Sequence, residues 1–156
     1  KFYTEPNNEM TQIYSALGTN YMWLRRYEDA LNHFDFAYQN SNKQDKTAAS
    51  YLYKLGLVEE KLGHYRKAIE WLEKALNIYS TKGDIQHIKL CTKNIADLCN
   101  KVGDSQKALS YQTQADVEVV AEENTANIGQ LLQTLHTEVD SFGIAIGDIS
   151  PIMTEF

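Results

Sequence analysis

One pattern is written three times in this chain, and the repetition limits what the chain can fold into. Residues 17–34 read LGTNYMWLRRYEDALNHF, residues 55–72 read LGLVEEKLGHYRKAIEWL, and residues 95–112 read IADLCNKVGDSQKALSYQ. In each copy, apolar residues recur at spacings of three and four on both sides of a short turn, which is typical of two amphipathic helices. A single helix pair cannot bury its apolar face, so the repetition predicts stacked pairs in an all-α solenoid.

Each predicted helix also carries a small residue at a fixed place. These are Gly18, Gly56 and Ala96 in the first helices, and Ala30, Ala68 and Ala108 in the second helices. Small side chains let two antiparallel helices approach closely while larger neighbours fill the grooves beside them. Gly63 and Gly103 follow the first helices of copies two and three, where a left-handed residue commonly ends a helix. We therefore interpret the repeat as a packing device.

The apolar stripes predict which residues face the core. The stripe of copy one runs through Ile13, Tyr14, Leu17, Tyr21 and Leu24 before the turn, and Tyr27, Ala30, Leu31, Phe34 and Ala37 after it. The stripe of copy two runs through Leu52, Leu55, Val58 and Leu62, then Tyr65, Ala68, Ile69, Leu72, Ala75 and Leu76.

A family resemblance rests on the order of these small and aromatic residues. Copy two has Leu55–Gly56, Gly63, Tyr65, Ala68, Leu72 and Ala75, and copy one has the matching Tyr14, Leu17–Gly18, Tyr21, Tyr27, Ala30, Phe34 and Ala37. Both resemble the tetratricopeptide repeat; copy three is weaker, because Cys99, Ser105 and Gln112 replace the usual aromatics. The copies are 38 and 40 residues apart, whereas the family period is about 34 residues. The resemblance implies an α-solenoid of about three helix-turn-helix repeats, whose first helices line a concave groove.

The predicted organisation is a single solenoid domain, residues 1–142, followed by a C-terminal tail, residues 143–156. The repeats span residues 10–43, 46–82 and 84–122. A capping helix is predicted over 124–142, starting at Asn124 or Thr125, with an apolar stripe from Ile128 to Phe142. The tail contains two glycines, a proline and no helical period, so it is expected to be a loose terminus, although it is rich in isoleucine.

The resemblance places a partner-binding groove on the faces of the first helices that packing leaves free. The candidates are Ser15, Thr19, Met22, Trp23, Ser50, Tyr53, Leu57, Lys61, Lys93, Asp97, Asn100 and Lys101. Polar side chains interleaved with Trp23, Tyr53 and Leu57 suit a peptide with a few apolar anchors. For Trp23 and Leu57, packing against adjacent helices is the alternative, and it is favoured for Leu57. The carboxylate clamp of chaperone-binding members needs Lys and Asn in the first helix, Asn in the second repeat, and Lys and Arg in the third. That pattern is absent, because the corresponding residues are Ser15 and Thr19, then Lys54, then Leu90 and Asn94.

Residue patterns for catalysis, metals and cofactors are absent from the sequence. It contains no GxxxxGK[ST], GxGxxG, HExxH or GxSxG motif. Asp84, His87 and Cys91 share one predicted helix face, but a metal normally needs a fourth ligand. We expect Asp84 to cap a helix, and we expect no catalytic residue, no metal site and no cofactor.

Charge and composition narrow the classes of partner and location. The net charge is −6, and residues 108–156 hold eight acidic residues and no Lys or Arg. Nucleic-acid binding needs a basic stripe, which this sequence lacks, so no nucleic-acid partner is expected. Crossing a bilayer needs roughly 20 consecutive apolar residues, and no such run occurs, so no insertion into a membrane is expected. Cys91 and Cys99 lie eight residues apart on one predicted helix, too far for a disulfide, which fits a cytoplasmic location. Because the chain begins with Lys1 rather than Met, we expect it to be a piece of a longer protein.

The leading functional hypothesis is a scaffold that binds a peptide segment of a partner protein in the groove. The alternative is a ligand-sensing regulatory domain, in which a signal peptide changes the curvature of the solenoid and so controls an effector elsewhere in a larger protein. The apolar tail adds a third hypothesis: residues 143–156 dock in the groove, either of the same molecule or of a second copy. Docking in a second copy would make the chain self-associate.

Overall fold

The computed structural model describes the backbone of residues 8–153, and side chains for residues 8–117 and 120–142. Within these residues the chain forms six α-helices and no strand. They are α1 (Asn8–Trp23), α2 (Tyr27–Gln39), α3 (Lys46–Lys61), α4 (Tyr65–Thr81), α5 (Ile85–Lys101) and α6 (Ser105–Met153). By its internal contacts the chain divides into two units, one ending at Glu118 and one beginning at Val119.

The first unit is the predicted stack of helix pairs. Helix α1 packs on α2 and α3 packs on α4, while α2 also packs on α3 and α4 on α5. Ala30 and Ala68 have no exposed surface and Ala108 is buried, as their small size at the helix contacts predicts. The all-α class and the solenoid of helix-turn-helix repeats are therefore confirmed.

Two apolar clusters form the core of the first unit. The smaller cluster joins Phe34 of α2 to Leu55 and Val58 of α3. The larger cluster continues from α3 through α4 and α5 to the start of α6. Trp71 packs against both clusters, so its indole ring lies beside the junction between the first and second pairs. Each new helix pair therefore buries the apolar face that the preceding pair leaves open.

Close approach explains the glycines inside the first helices. A Cβ atom built on Gly56 would lie 2.8 Å from Leu72 Cγ and 3.2 Å from the carbonyl oxygen of Ala68. A Cβ atom on Gly18 would lie 2.8 Å from the ring of Phe34. Apolar carbons normally meet at about 3.5–4.0 Å. Only a residue without a side chain fits between these paired helices.

Four helices end in the same turn, whose central residue has a left-handed backbone. At the end of α3, the amide of Gly63 donates to Glu60 O and the amide of His64 donates to Glu59 O. The same two bonds recur around Arg25, Gly83 and Gly103, and they define the Schellman motif. Three of the four central residues are glycines, but Arg25 adopts φ 58 with a full side chain. The first repeat therefore carries a backbone strain that the other turns avoid.

Part of the predicted stripe of α1 is exposed instead of buried. Ile13, Leu17 and Leu24 keep large exposed fractions, although the stripe of copy one includes all three. Helix α1 is the end helix of the described stack, and packing is described against one side of it only. The buried residues of α1 are Thr11, Ser15 and Gly18, so the helical period of the stripe is confirmed while the predicted burial of the three exposed residues is wrong.

The predicted break between the third repeat and a capping helix is wrong, because α6 is continuous from Ser105 to Met153. The Thr125 hydroxyl donates to Ala121 O at 2.8 Å, four residues back, so Thr125 is a helix-interior residue and not a cap. Residues 124–142 are helical as predicted, but as part of α6. Whether they cap the stack stays a prediction.

The expectation of a tail without helical structure from residue 143 is also wrong as far as the backbone is described. Helix α6 continues to Met153 through both glycines and Pro151, while residues 154–156 lie outside the described residues. Despite its length, neither α6 nor any other helix in the described part of the chain has an apolar stretch that could cross a membrane.

Candidate functional site

Side-chain hydrogen bonds join the first helices of successive pairs. Between α1 and α3, Lys54 Nζ donates to Ser15 Oγ at 2.7 Å, and the Tyr51 hydroxyl bonds to Thr11 Oγ1 at 3.1 Å. Between α3 and α5, Asn94 Nδ2 donates to the Tyr53 hydroxyl at 2.8 Å. These bonds link residues 39 to 41 positions apart, close to the repeat period. These bonds hold α1, α3 and α5, the first helices of the three pairs, side by side. We call the faces of these helices that carry the predicted groove residues the A-helix surface.

On α1 the predicted groove residues divide between the interior and solvent. Ser15 is only 4% exposed and accepts the bond from Lys54, so its hydroxyl is occupied within the fold. Thr19 is half-buried and its hydroxyl donates to Ser15 O at 3.0 Å. Met22 packs against the smaller apolar cluster. Trp23, in contrast, is 83% exposed, which rules out the packing alternative for this ring.

On α3 the predicted residues form the middle of the A-helix surface. Ser50, Tyr53 and Leu57 are half-buried, whereas Lys61 is exposed. Tyr53 packs against the larger apolar cluster while its hydroxyl accepts from Asn94. Burial raises the pKa of the Tyr53 phenol, so it stays a neutral hydrogen-bonding group at ordinary pH. This helix presents a partly apolar strip between polar edges.

On α5 the predicted residues are all exposed and charged or polar. They are Lys93, Asp97, Asn100 and Lys101. Lys101 Nζ lies 2.5 Å from Glu60 Oε1 of α3, and this bond raises the pKa of the Lys101 amine. Lys101 is therefore bonded to α3, while Lys93 and Asp97 are exposed. The structure brings the α3 and α5 candidates together through this pair and the Tyr53–Asn94 bond.

Lys54, which the sequence pattern does not predict as a groove residue, bridges α3 to α1. Its amine is partly buried between α1 and α3, with the Phe34 ring 5.6 Å away. Burial lowers the pKa of this amine, because the charged form loses hydration. Among the described residues its hydrogen-bond partner is the neutral Ser15 hydroxyl, and no carboxylate pairs with it. An ammonium in such a place favours an anionic group brought by a ligand.

Asp84, His87 and Cys91 make contacts that stabilise the fold. The Asp84 carboxylate accepts from the His87 amide as the N-cap of α5 and pairs with Lys46 Nζ at 2.9 Å. The His87 ring stacks on Tyr79 with centroids 4.5 Å apart. Burial raises the pKa of the Cys91 thiol to about 12, which keeps it protonated and a poor metal ligand. Within the part of the chain that is described, no three His, Cys, Asp or Glu side chains cluster as metal ligands would.

Comparisons with known proteins agree with this architecture. Residues 9–81 match the family model described as tetratricopeptide repeat. The TPR domain of Arabidopsis FLU superposes with a TM-score of 0.65, at 20% identity over 72% of this chain and 97% of that chain. Aspartyl phosphate phosphatase F from Bacillus subtilis gives 0.70, at 24% identity over 78% of this chain but 32% of that protein.

A third similar structure contains a partner. The TPR2AB domain of yeast Sti1, solved as a complex with pHSP90, gives a TM-score of 0.62 at 23% identity, covering 72% of this chain and 42% of that one. No curated protein matches this chain. At identities this low, the structural matches show the fold alone.

Proposed function

Since this chain belongs to the tetratricopeptide-repeat family through residues 9–81, we propose that it binds a peptide segment of a partner protein on its A-helix surface. Family membership and fold place the chain among protein-interaction modules, whose stacked repeats create extended binding surfaces. The proposal goes further by naming the surface and the kind of ligand.

The proposal rests on an exposed aromatic ring at the end of α1 together with an ammonium on α3 that has no described carboxylate partner. Trp23 offers a large exposed apolar area, and tryptophan is enriched among the residues that dominate binding energy. Lys54 offers a partly buried cation whose described partner is a neutral hydroxyl. We infer a ligand with an apolar side chain for Trp23 and a carboxylate for Lys54.

The similar yeast structure supports a protein partner for this fold, since it was solved as a complex with pHSP90. It does not carry that partner over to this chain. We include Ser50, Leu57, Lys61, Lys93 and Asp97 in the proposed contact region, because they are half-buried or exposed on α3 and α5.

A binding selection tests the proposal directly. Peptides selected from a phage-displayed random library on the whole chain are measured against Lys54→Met, which keeps the apolar stem and removes the charge. We expect at least a ~10-fold weaker Kd, since a charge-assisted bond contributes about 1.5–3 kcal/mol. Lys67→Met on α4 is the matched control, because Lys67 is an exposed lysine on a second helix of the stack.

Two results contradict the proposal. If the library yields no binder, the surface is not a peptide site. If Lys54→Met and Lys67→Met bind selected peptides equally well, the peptides sit elsewhere. Trp23→Ala is expected to weaken the same peptides without lowering Tm, because the exposed ring supports no core packing.

The alternative of a ligand-sensing regulatory domain stays a hypothesis. The likeness to the Bacillus phosphatase spans 32% of that protein at 24% identity and therefore concerns fold only. A non-catalytic role, a cytoplasmic location and the absence of nucleic-acid binding are parts of our proposal. Docking of the tail in a groove also stays a proposal, because the side chains of residues 143–156 lie outside those described.

A further inference from the structure

The helix of the second unit carries an apolar stripe that the structure leaves open. Ile128, Leu131, Leu132, Leu135, Val139 and Phe142 are each between 54% and 71% exposed. These six residues lie within fifteen positions of one helix. Contiguous exposed apolar surface on this scale marks a place where another surface binds.

The spacing of the stripe identifies the kind of surface that fits it. Starting at Ala121, the residues that form one seam follow one another at alternating steps of four and three. They are Ala121, Thr125, Ile128, Leu132, Leu135, Val139 and Phe142. This strict seven-residue repeat over three heptads is the narrow seam of a coiled coil, whereas a helix that covers a globular core shows a wider stripe of period 3.6. We propose that this seam, residues 121–142, packs against the same seam of a second copy of this chain.

The charges beside the seam are compatible with an identical partner. Of the four acidic residues between 120 and 142, Glu123 and Asp140 lie on outer positions of the heptad. Glu122 and Glu138 border the seam, but on its two opposite edges and more than two heptads apart. With the seams fully overlapped, neither a parallel nor an antiparallel pair therefore places two of these carboxylates opposite each other. A seam built for a basic partner would carry acids along both edges.

The apolar area is sufficient for a dimer. Five large seam residues (Ile128, Leu132, Leu135, Val139 and Phe142) are each more than half exposed. At about 100 Å² each, two copies of the seam remove roughly 1,000 Å² from water, which is the area a specific interface needs. Leu131, at the edge of the seam, adds to this area. The assembly does not depend on the peptide surface proposed above.

Analytical ultracentrifugation of the whole chain tests the inference. Over roughly 1 to 100 µM we expect the mass to rise toward twice 17.8 kDa with concentration. Leu132→Glu/Leu135→Glu places two charges in the seam, and we expect the dissociation constant to weaken at least ~100-fold. The matched control is Gln130→Glu/Gln133→Glu, which adds the same charges at the same spacing on outer positions and is expected to leave the dimer intact.

The outcomes are separable. Thermal melts followed by tryptophan fluorescence check that the solenoid of both variants stays folded, because the Trp71 ring packs against both core clusters of the first unit. Since the Leu132→Glu/Leu135→Glu variant keeps the tail, loss of the dimer in it excludes tail docking as the cause. A single-copy mass for the unmodified chain throughout the range overturns the inference, and would mean that another protein or this chain's own solenoid covers the seam. Equal weakening by both double variants also overturns it, because net charge would then be the cause.

Discussion

Replacing Gly56 by alanine sets two opposing effects against each other at one position. Alanine in a helix interior is more favourable than glycine by about 0.8–1.0 kcal/mol, so helix propensity alone predicts stabilisation. Against this, the new Cβ would lie 2.8 Å from Leu72 Cγ and 3.2 Å from the carbonyl oxygen of Ala68. Leu72 has no exposed surface and cannot swing into solvent. Helices α3 and α4 must therefore move apart.

The magnitude follows from these contacts. Overpacking a tight core costs about 1–3 kcal/mol, and Gly56 belongs near the top of that range because a main-chain atom as well as a side chain must shift. Subtracting the propensity gain leaves a destabilisation of about 2 kcal/mol. Urea unfolding followed by tryptophan fluorescence measures this value, since Trp71 packs on both core clusters.

Two further variants decide the cause. In a Leu72→Ala background the main obstacle is gone, so adding Gly56→Ala should be neutral or stabilising, and the double-mutant cycle should show strong coupling. Gly129→Ala is the control, because no atom lies within 4 Å of a Cβ built there. If Gly56→Ala raises the free energy of unfolding by the propensity gain alone, the close approach of α3 and α4 is not real.

Two more predictions concern the turn and the cap. Arg25→Gly should stabilise the fold by about 1 kcal/mol in the same urea assay, because Arg25 holds φ 58 where the equivalent turns use glycine, and an unchanged midpoint would contradict the strain. Bonds from Lys46 and then His87 lower the pKa of Asp84 to about 2 from 3.8, so its contribution to stability is present above about pH 4 and is lost as the pH falls toward about 2. Asp84→Asn should shrink the acid-induced loss by at most about 1 kcal/mol, because Lys46 is largely exposed, and an identical pH profile for variant and parent would refute the pair.

The helix pairs and their contacts could be predicted because repetition makes a packing signal visible three times. Gly56 and Ala68 stood at matching places in the copies, and both lie where α3 meets α4. Because the same small residues recur at the same places in the copies, their spacing is unlike one that arises by chance. The burial of the apolar residues of the end helix α1 could not be predicted in this way. Periodicity shows which face of a helix is apolar, but not whether a neighbouring helix covers that face.

The candidate site was harder to predict, because it depends on bonds between helices that are about 40 residues apart. Ser15 was placed in the groove by its helix position, but the amine of Lys54 reaches across from α3 and occupies its hydroxyl. Because Ser15 and Lys54 are 39 residues apart, the sequence does not predict Lys54 as a groove residue either. The sequence predicts a helix start at Asn124 or Thr125 because both residue types often cap helices, yet the Thr125 hydroxyl bonds back to Ala121 within α6.

The bond between Lys54 and Ser15 gives the A-helix surface a mechanical character. It bridges the joint where the first helix pair meets the second. An ammonium has three N–H donors, so it can hold Ser15 and a ligand carboxylate at the same time. A ligand carboxylate bound to Lys54 would add a second connection between the first and second helix pairs. The two pairs would then resist bending apart more strongly than in the free chain.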